Sequence, residues 1–336
     1  MHAIAQRVER FWWRNGAPPL WLQPLALIYR WANSINLQRR HRHAEAPPLP
    51  AIFIGNITVG GSGKTPFVIR LADELRQRGA APVIVCRGDG GSLQQPQLVT
   101  AADDPATVGD EACMMAQMVD TPVVAGHDRV AGARLAATLG DIMLLDDALQ
   151  YRQLARVTGS SCEVVLLPAA GVGNGALLPI GPLREPLSAL QRADIIVISG
   201  EESLASLLLP TGTPCFHWSN PVVDIVDVMA TGCGEPPDRV HLVTAIARPQ
   251  RVVDSLLRLG IEVVGQTQFA DHYPYRQQDI DHLAREEYAV VTTMKDAVKI
   301  RRLWPVDRAL WVCQHQGDME SSLVERIGRA IGYEFV

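Results

Sequence analysis

The sequence predicts an α/β protein: a mostly parallel sheet with helices on both faces, followed by a smaller α/β C-terminal domain and preceded by an N-terminal amphipathic helix. Three observations lead there. From residue 51 onward, short apolar runs suited to buried strands alternate with helical patterns. A Pro- and Gly-rich break near residues 210–238 divides that alternation into two runs. The composition, 47% hydrophobic and 20% charged over 336 residues, is that of an ordinary globular chain, and at roughly 150 residues per domain it predicts about two domains.

Residues 1–43 are expected to form a membrane-associating helical segment. Residues 1–50 carry seven arginines against two acids, and Trp12, Trp13, Trp21 and Trp31 are four of the seven tryptophans. Arg7, Arg10 and Arg14 lead into an aromatic pair rather than an apolar core with a cleavage site, so no signal peptide is expected. From Pro24 a helix would carry Leu25, Ile28, Trp31 and Ile35 on one side. It is too short to span a bilayer but suits its interface, where tryptophans sit among headgroups and Arg39, Arg40 and Arg42 meet anionic lipid. The same pattern also describes a helix packed on its own domain or on a second subunit.

A proline-rich stretch at 44–50 opens the main domain, 44–210, with strands expected at 51–54, 82–86, 122–125, 142–145, 164–167 and 195–199 and helices at 66–78 and 128–139. Residues 211–238 read as a linker region. The smaller domain, 239–336, has strands expected at 240–244, 262–266, 289–293 and 309–313 and helices at 249–259 and 276–285. Six scattered cysteines without a Cys-x-x-Cys pair suggest neither a zinc ribbon nor a disulfide framework. A net charge of −5 argues against general nucleic-acid binding.

The strongest motif is Gly60-Gly61-Ser62-Gly63-Lys64-Thr65, set between an apolar strand and a helix. Consecutive glycines let backbone N–H groups turn toward phosphate oxygens, Lys64 can reach the β/γ-phosphates, Thr65 can ligate Mg²⁺, and the helix N-terminus adds positive potential. The main domain is therefore P-loop NTPase-like, with Thr58, Val59, Gly60, Gly61, Ser62, Gly63, Lys64 and Thr65 as nucleotide-binding candidates. The strict spacing would place Gly at Thr58 and a variant loop Lys at Val59, so this loop belongs to another subtype. Leu144-Leu145-Asp146-Asp147 ends a strand in two acids, where such enzymes place a Mg²⁺-organising carboxylate. Gly109-Asp110-Glu111 opens a methionine-rich helix through Met118, its acids suited either to the helix's first turn or to the phosphates. In Phe269-Ala270-Asp271-His272-Tyr273, a His beside an Asp could handle protons at neutral pH.

Together with Gly181-Pro182-Leu183-Arg184-Glu185-Pro186 and Ala247-Arg248-Pro249, these motifs resemble, in order and spacing over nearly the whole chain, the tetraacyldisaccharide 4′-kinase family. The resemblance implies ATP-dependent transfer of the γ-phosphate to the 4′-hydroxyl of a tetraacylated glucosamine disaccharide 1-phosphate in lipid A biosynthesis. It also implies a peripheral or monotopic place at the cytoplasmic face of the bacterial inner membrane, with ATP as co-substrate and Mg²⁺. The partners would be the acylated disaccharide lipid and the membrane surface, with no nucleic acid and no obligate protein partner. Carried over by position, Lys64 is the phosphate lysine, Thr65 a metal ligand, Asp146 and Asp147 the organisers of metal and water, and Glu185 a further metal-side acid. Arg184 lies close to the phosphates, and Asp110 is the base, paired with His272 from the second domain.

The chain departs from the family pattern at Cys86-Arg87-Gly88-Asp89, Ala148-Leu149-Gln150-Tyr151 and Met294, without losing any of these residues. Two other functions match parts of the sequence: a nucleotide-switch ATPase acting on a protein partner, and a diverged non-catalytic relative. Guanine recognition needs Asn/Thr-Lys-x-Asp, and here Lys295 directly precedes Asp296. Retention of Lys64, Thr65, Asp110 and His272 counts against the non-catalytic relative.

Overall fold

The computed structural model describes residues 8, 10–13, 16–60, 62–200, 209–232, 234–246, 249–270 and 273–335. Helix α1 (Gln23–Arg42) has Pro24 in its first turn and Arg39, Arg40, His41 and Arg42 in its last, where positive charge meets the negative end of the helix dipole. Only Ala26 of α1 is buried. Leu25, Ile28 and Trp31, expected on one side, are exposed, Trp31 at 69%, whereas Ile35 is half-buried. Among the described residues no helix is long and apolar enough to cross a membrane.

The first sheet is laid down by β1 (Ala51–Gly55), α2 (Lys64–Gln77), β2 (Pro82–Cys86), β3 (Gln97–Val99), α3 (Pro105–Val108), α4 (Asp110–Met118), β4 (Val123–Ala125), α5 (Arg129–Ala136), β5 (Ile142–Leu145), β6 (Ser161–Pro168), β7 (Ile195–Ser199) and β8 (Cys215–Trp218). Its spatial order is β3-β4-β2-β5-β1-β6-β7-β8, parallel throughout except for β3 against β4. Strands β1, β2, β5, β6 and β7 are buried along their whole length, as sheet strands covered on both faces must be. On one face Ile52, Ile54, Ile84 and Leu144 pack with Phe67, Leu71 and Leu75 of α2 and Met115 of α4. On the other, Phe53, Val85 and Met143 meet Ala133 and Ala136 of α5.

The second sheet takes β9 (Val222–Asp227), β10 (Arg239–Thr244), α6 (Gln250–Arg258), β11 (Glu262–Gln268), α7 (Gln277–Leu283), β12 (Ala289–Thr292), α8 (Met294–Ile300) and β13 (Trp311–His315), in the order β11-β10-β12-β13-β9. Only β9 runs antiparallel. The span expected as a linker, 211–238, is thus corrected: it supplies an edge strand to each sheet, β8 to the first and β9 to the second. These edges carry mixed polar and apolar residues because only part of each strand is covered.

The chain crosses between the sheets twice, and the two crossings touch. The Gln316 amide donates to the Pro221 carbonyl at 3.2 Å, and His315 Nδ1 lies 3.0 Å from the Asn220 carbonyl. Gly317 comes so near that a Cβ there would sit 2.8 Å from the Ser219 carbonyl oxygen. After the second crossing, α9 (Ser321–Ala330) packs on α2 and β6, so the end of the span read as the smaller domain belongs to the core of the first sheet. Leu323, Val324 and Ile327 are fully buried there, and the Tyr333 hydroxyl donates to Asp141 at 2.9 Å. Ile327→Ala should therefore lower the unfolding free energy by about 2–5 kcal/mol in urea titrations. A loss no larger than that of an exposed α9 position would show that this helix is not part of the core.

Candidate active site

The site lies at the carboxyl ends of β1 and β5, where open α/β sheets bind ligands. Gly55 ends β1 against Leu149, and a Cβ at that position would stand 2.6 Å from the Leu149 Cβ, so only glycine lets the two loops close on each other. From Asn56 the chain leads on to Gly63 and α2. Gly63, at φ +75°, is the N-cap of α2 and has no side chain to occupy the helix's first amides. Those amides and the helix dipole make a site for a phosphate.

Asn56 organises the loop from within. Its amide nitrogen donates to Ser62 Oγ at 2.9 Å and Thr58 Oγ1 at 3.4 Å, while its carbonyl oxygen accepts from Lys64 Nζ at 3.2 Å. The entry to the loop is zipped to the chain at 182–184. The Val59 amide donates to the Pro182 carbonyl and the Arg184 amide to the Ile57 carbonyl, each at 2.7 Å. The Val59 amide is thus turned toward the 182–184 stretch.

At the end of β5 the two acids have different surroundings. Asp146 is buried, accepts from the Thr65 hydroxyl at 3.4 Å and holds the Asp147 amide at 2.8 Å. Burial, then the nearby charge of Glu111, push its carboxyl up to about 6. Asp147 stands in the left-handed region at φ 47°. Its carboxylate pairs with Lys64 at 3.1 Å and Arg184 at 2.9 Å, and its carbonyl accepts from Arg129 at 3.2 Å. Burial alone would raise its pKa, but Lys64, Arg184 and Arg129 together hold it well below the usual carboxylate range.

The fold brings Lys64, Thr65, Asp146, Asp147 and Arg184 within reach of one another. Glu185 is not among them. Arg184 reaches Asp147, whereas the buried Glu185 carboxylate accepts from Arg192 at 2.8 Å and Gln150 at 3.1 Å. Among the described residues no three His, Cys, Asp or Glu side chains gather to hold a metal, which corrects the grouping of Glu185 with Asp146 and Asp147. Asp110, buried at the start of α4, pairs with Lys299 of α8 at 3.2 Å, beside a Glu111–Lys295 pair at 2.9 Å. His272 and Gly61 lie outside the described residues, as do Asp271, Ala247 and Arg248.

Sequence reasoning missed Asn56, Glu111, Arg129, Gln150, Lys295 and Lys299 as parts of the site. Asn56, Glu111, Gln150 and Lys295 all lie inside or beside the motifs. Arg129 and Lys299 reach the site from distant elements and carry no local signature.

The Asp146 environment has a measurable sign. The folded chain holds the Asp146 proton up to about 6, above the unfolded value of roughly 4, so its ionisation disfavours the fold fully above pH 6 and not at all below about pH 4. Without nucleotide or metal, Asp146→Asn should raise the melting temperature at pH 8, with the gain shrinking toward zero at pH 4. A gain independent of pH would contradict this account.

Known proteins resemble this chain over nearly its whole length. A family model described as tetraacyldisaccharide-1-P 4′-kinase matches residues 19–331. The tetraacyldisaccharide 4′-kinase of Halorhodospira halophila is 38% identical over 310 residues, covering 90% of each chain, and that of Dechloromonas aromatica is 35% identical, covering 96% of this chain and 97% of its own. The crystal structure of LpxK from Aquifex aeolicus in complex with ATP superposes with a TM-score of 0.74 at 27% identity, covering 93% of this chain and 98% of that one. Loop, carboxylate pair and whole-chain similarity converge, and the chain belongs to the tetraacyldisaccharide-1-P 4′-kinase family.

Proposed function

We propose that the protein transfers the γ-phosphoryl group of ATP to the 4′-hydroxyl of a tetraacylated glucosamine disaccharide 1-phosphate, a step of lipid A biosynthesis. The observation that carries this is the convergence of Lys64, Thr65 and Asp146 around the open N-terminus of α2, in a chain matched by the kinase family over residues 19–331. The ATP in the related LpxK structure supports ATP as donor. The nucleotide-switch alternative is not favoured, because the relatives named for a lipid kinase cover nearly the whole chain.

Mg²⁺ is part of the proposal. Thr65 and Asp146 offer adjacent hard oxygens, and the raised Asp146 carboxyl marks a buried charge that its neighbouring cations leave incompletely compensated. These two residues would hold the ion, which when bound neutralises charge on the phosphate oxygens. Asp147 keeps Lys64 and Arg184 aligned until phosphate oxygens take over the lysine. Asp110 is the proposed acceptor of the sugar hydroxyl's proton, with His272 as its partner. Phosphoryl transfer needs chiefly this positioning and charge placement from the protein.

We place the exposed face of α1, with Leu20 and Trp21 just before it and Leu27, Ile28 and Trp31 along it, in the surface layer of an anionic membrane at its cytoplasmic side. That face lies opposite the one carrying Tyr29 and Asn33, which dock on the protein. Apolar burial and the arginines at the helix end would act together there.

Purified protein given γ-labelled ATP, Mg²⁺ and an acylated disaccharide 1-phosphate should label the lipid, and absence of transfer would refute the proposal. Lys64→Ala should lose nearly all of this turnover, because the phosphate-side positive charge goes with it. Asp110→Ala should reduce turnover by roughly 10²–10⁴-fold with ATP affinity little changed. Normal turnover in that variant would leave Asp110 as a structural acid. Co-sedimentation with anionic vesicles should weaken with salt and in the Trp21→Ala/Trp31→Ala variant; retention indifferent to both would remove α1 from the membrane.

A further inference from the structure

We infer that Tyr29 and Asn33 of α1 are positioning residues for the phosphate site, acting through Arg184. This rests on the kinase reading above and extends it: the helix proposed as the membrane contact is also a structural member of the nucleotide site.

Arg184 is held in three directions. Its guanidinium reaches both Asp147 carboxylate oxygens, at 3.0 and 2.9 Å. Its amide donates to the Ile57 carbonyl at the entry to the phosphate loop, at 2.7 Å. Its carbonyl accepts twice from α1, from the Tyr29 hydroxyl at 3.1 Å and from Asn33 Nδ2 at 3.0 Å. One residue thereby joins the loop, the acid beside Lys64 and the N-terminal helix.

The seat of α1 is otherwise thin. Ala26 is its one buried residue, and Tyr29, Asn33 and Leu37 are only partly covered. Between α1 and the segment from Arg184 to Arg192 runs an open groove of about 300 Å³, lined by Tyr29, Asn33, Leu37, Arg184, Pro186 and Arg192. With so little apolar packing, the two hydrogen bonds to the Arg184 carbonyl set where the helix lies against the site. They also hold the 184–185 peptide, which joins Arg184, paired with Asp147, to Glu185, paired with Arg192. Glu185 in turn accepts from Gln150, which donates as well to the Asn56 carbonyl at 3.1 Å. A shift of that peptide reaches the phosphate loop by both routes.

The test compares the parent with Tyr29→Phe/Asn33→Leu, which removes both donors while keeping side-chain bulk and leaving Trp21 and Trp31 intact. Equilibrium binding of Mg·ATP, kcat and KM for ATP, and retention on phosphatidylglycerol vesicles are measured for each. The double variant should bind ATP roughly tenfold more weakly, and each single variant about threefold. KM for ATP should rise in step, kcat should change less, and vesicle retention should match the parent. In an Arg184→Ala background the same pair of substitutions should shift ATP affinity by clearly less than in the parent, because the route through the guanidinium is gone and only that through Glu185 and Gln150 remains.

ATP affinity unchanged in a folded double variant would overturn the inference. So would a loss in the Arg184→Ala background as large as in the parent. Should the double variant fail to fold, Tyr29→Phe alone in the two backgrounds decides by the same comparison. A parent that binds ATP but labels no lipid would refute the kinase reading, and the binding cycle would still decide the role of Tyr29 and Asn33.

Discussion

Two adjacent carboxylates enter the protein at the end of β5, and much of the surrounding architecture exists to accommodate them. A buried acid is costly unless cations or donors reach it. Asp147 draws three cations from three places: Lys64 from the start of α2, Arg184 from the stretch beside the phosphate loop, and Arg129 from α5. Asp146 receives a hydroxyl and the next residue's amide, and stays protonated to a higher pH than a free carboxyl. The contrast divides labour between neighbours: one acid is already neutralised by protein, the other is left wanting a positive charge. Lys64 and Arg184, which serve the first, are also groups that a nucleotide's phosphates would attract.

A second set of ion pairs ties the smaller sheet to the larger. Lys295 and Lys299, one turn apart on α8, face Glu111 and Asp110 at the start of α4. The acids sit where a helix dipole favours them, and the lysines arrive from α8, far along the sequence from α4. The proposed base is thus built from both halves of the chain.

The fold was legible wherever burial was complete. Strands β2, β5 and β7 coincide with the runs at 82–86, 142–145 and 195–199, because a parallel strand covered on both faces must be apolar throughout. β8 and β9 were not legible: each is an edge strand within a Pro- and Gly-rich span, and pairing partners distant in sequence decide its conformation. At the site, residues fixed by local backbone chemistry were found, namely the loop, Lys64, Thr65 and the acid pair. Glu185 was grouped with the metal side by position in the family motif, yet in the fold its carboxylate is taken by Arg192 and Gln150. Arg129 and Lys299 are joined to the site only by tertiary folding, which no local pattern announces.

The paired crossings at 219–221 and 315–317 have a mechanical meaning. Because α9 returns to the first sheet, the second sheet is spliced into the first unit rather than appended to it, and it is tethered at both ends. Two tethers set far apart would lock the halves together, and a single one would let them tumble. Here the tethers lie side by side, hydrogen-bonded to each other, like the two leaves of one hinge pin. Any rotation of the second unit would have to turn about that line, and it would have to part Lys295 and Lys299 from Glu111 and Asp110 as a pair.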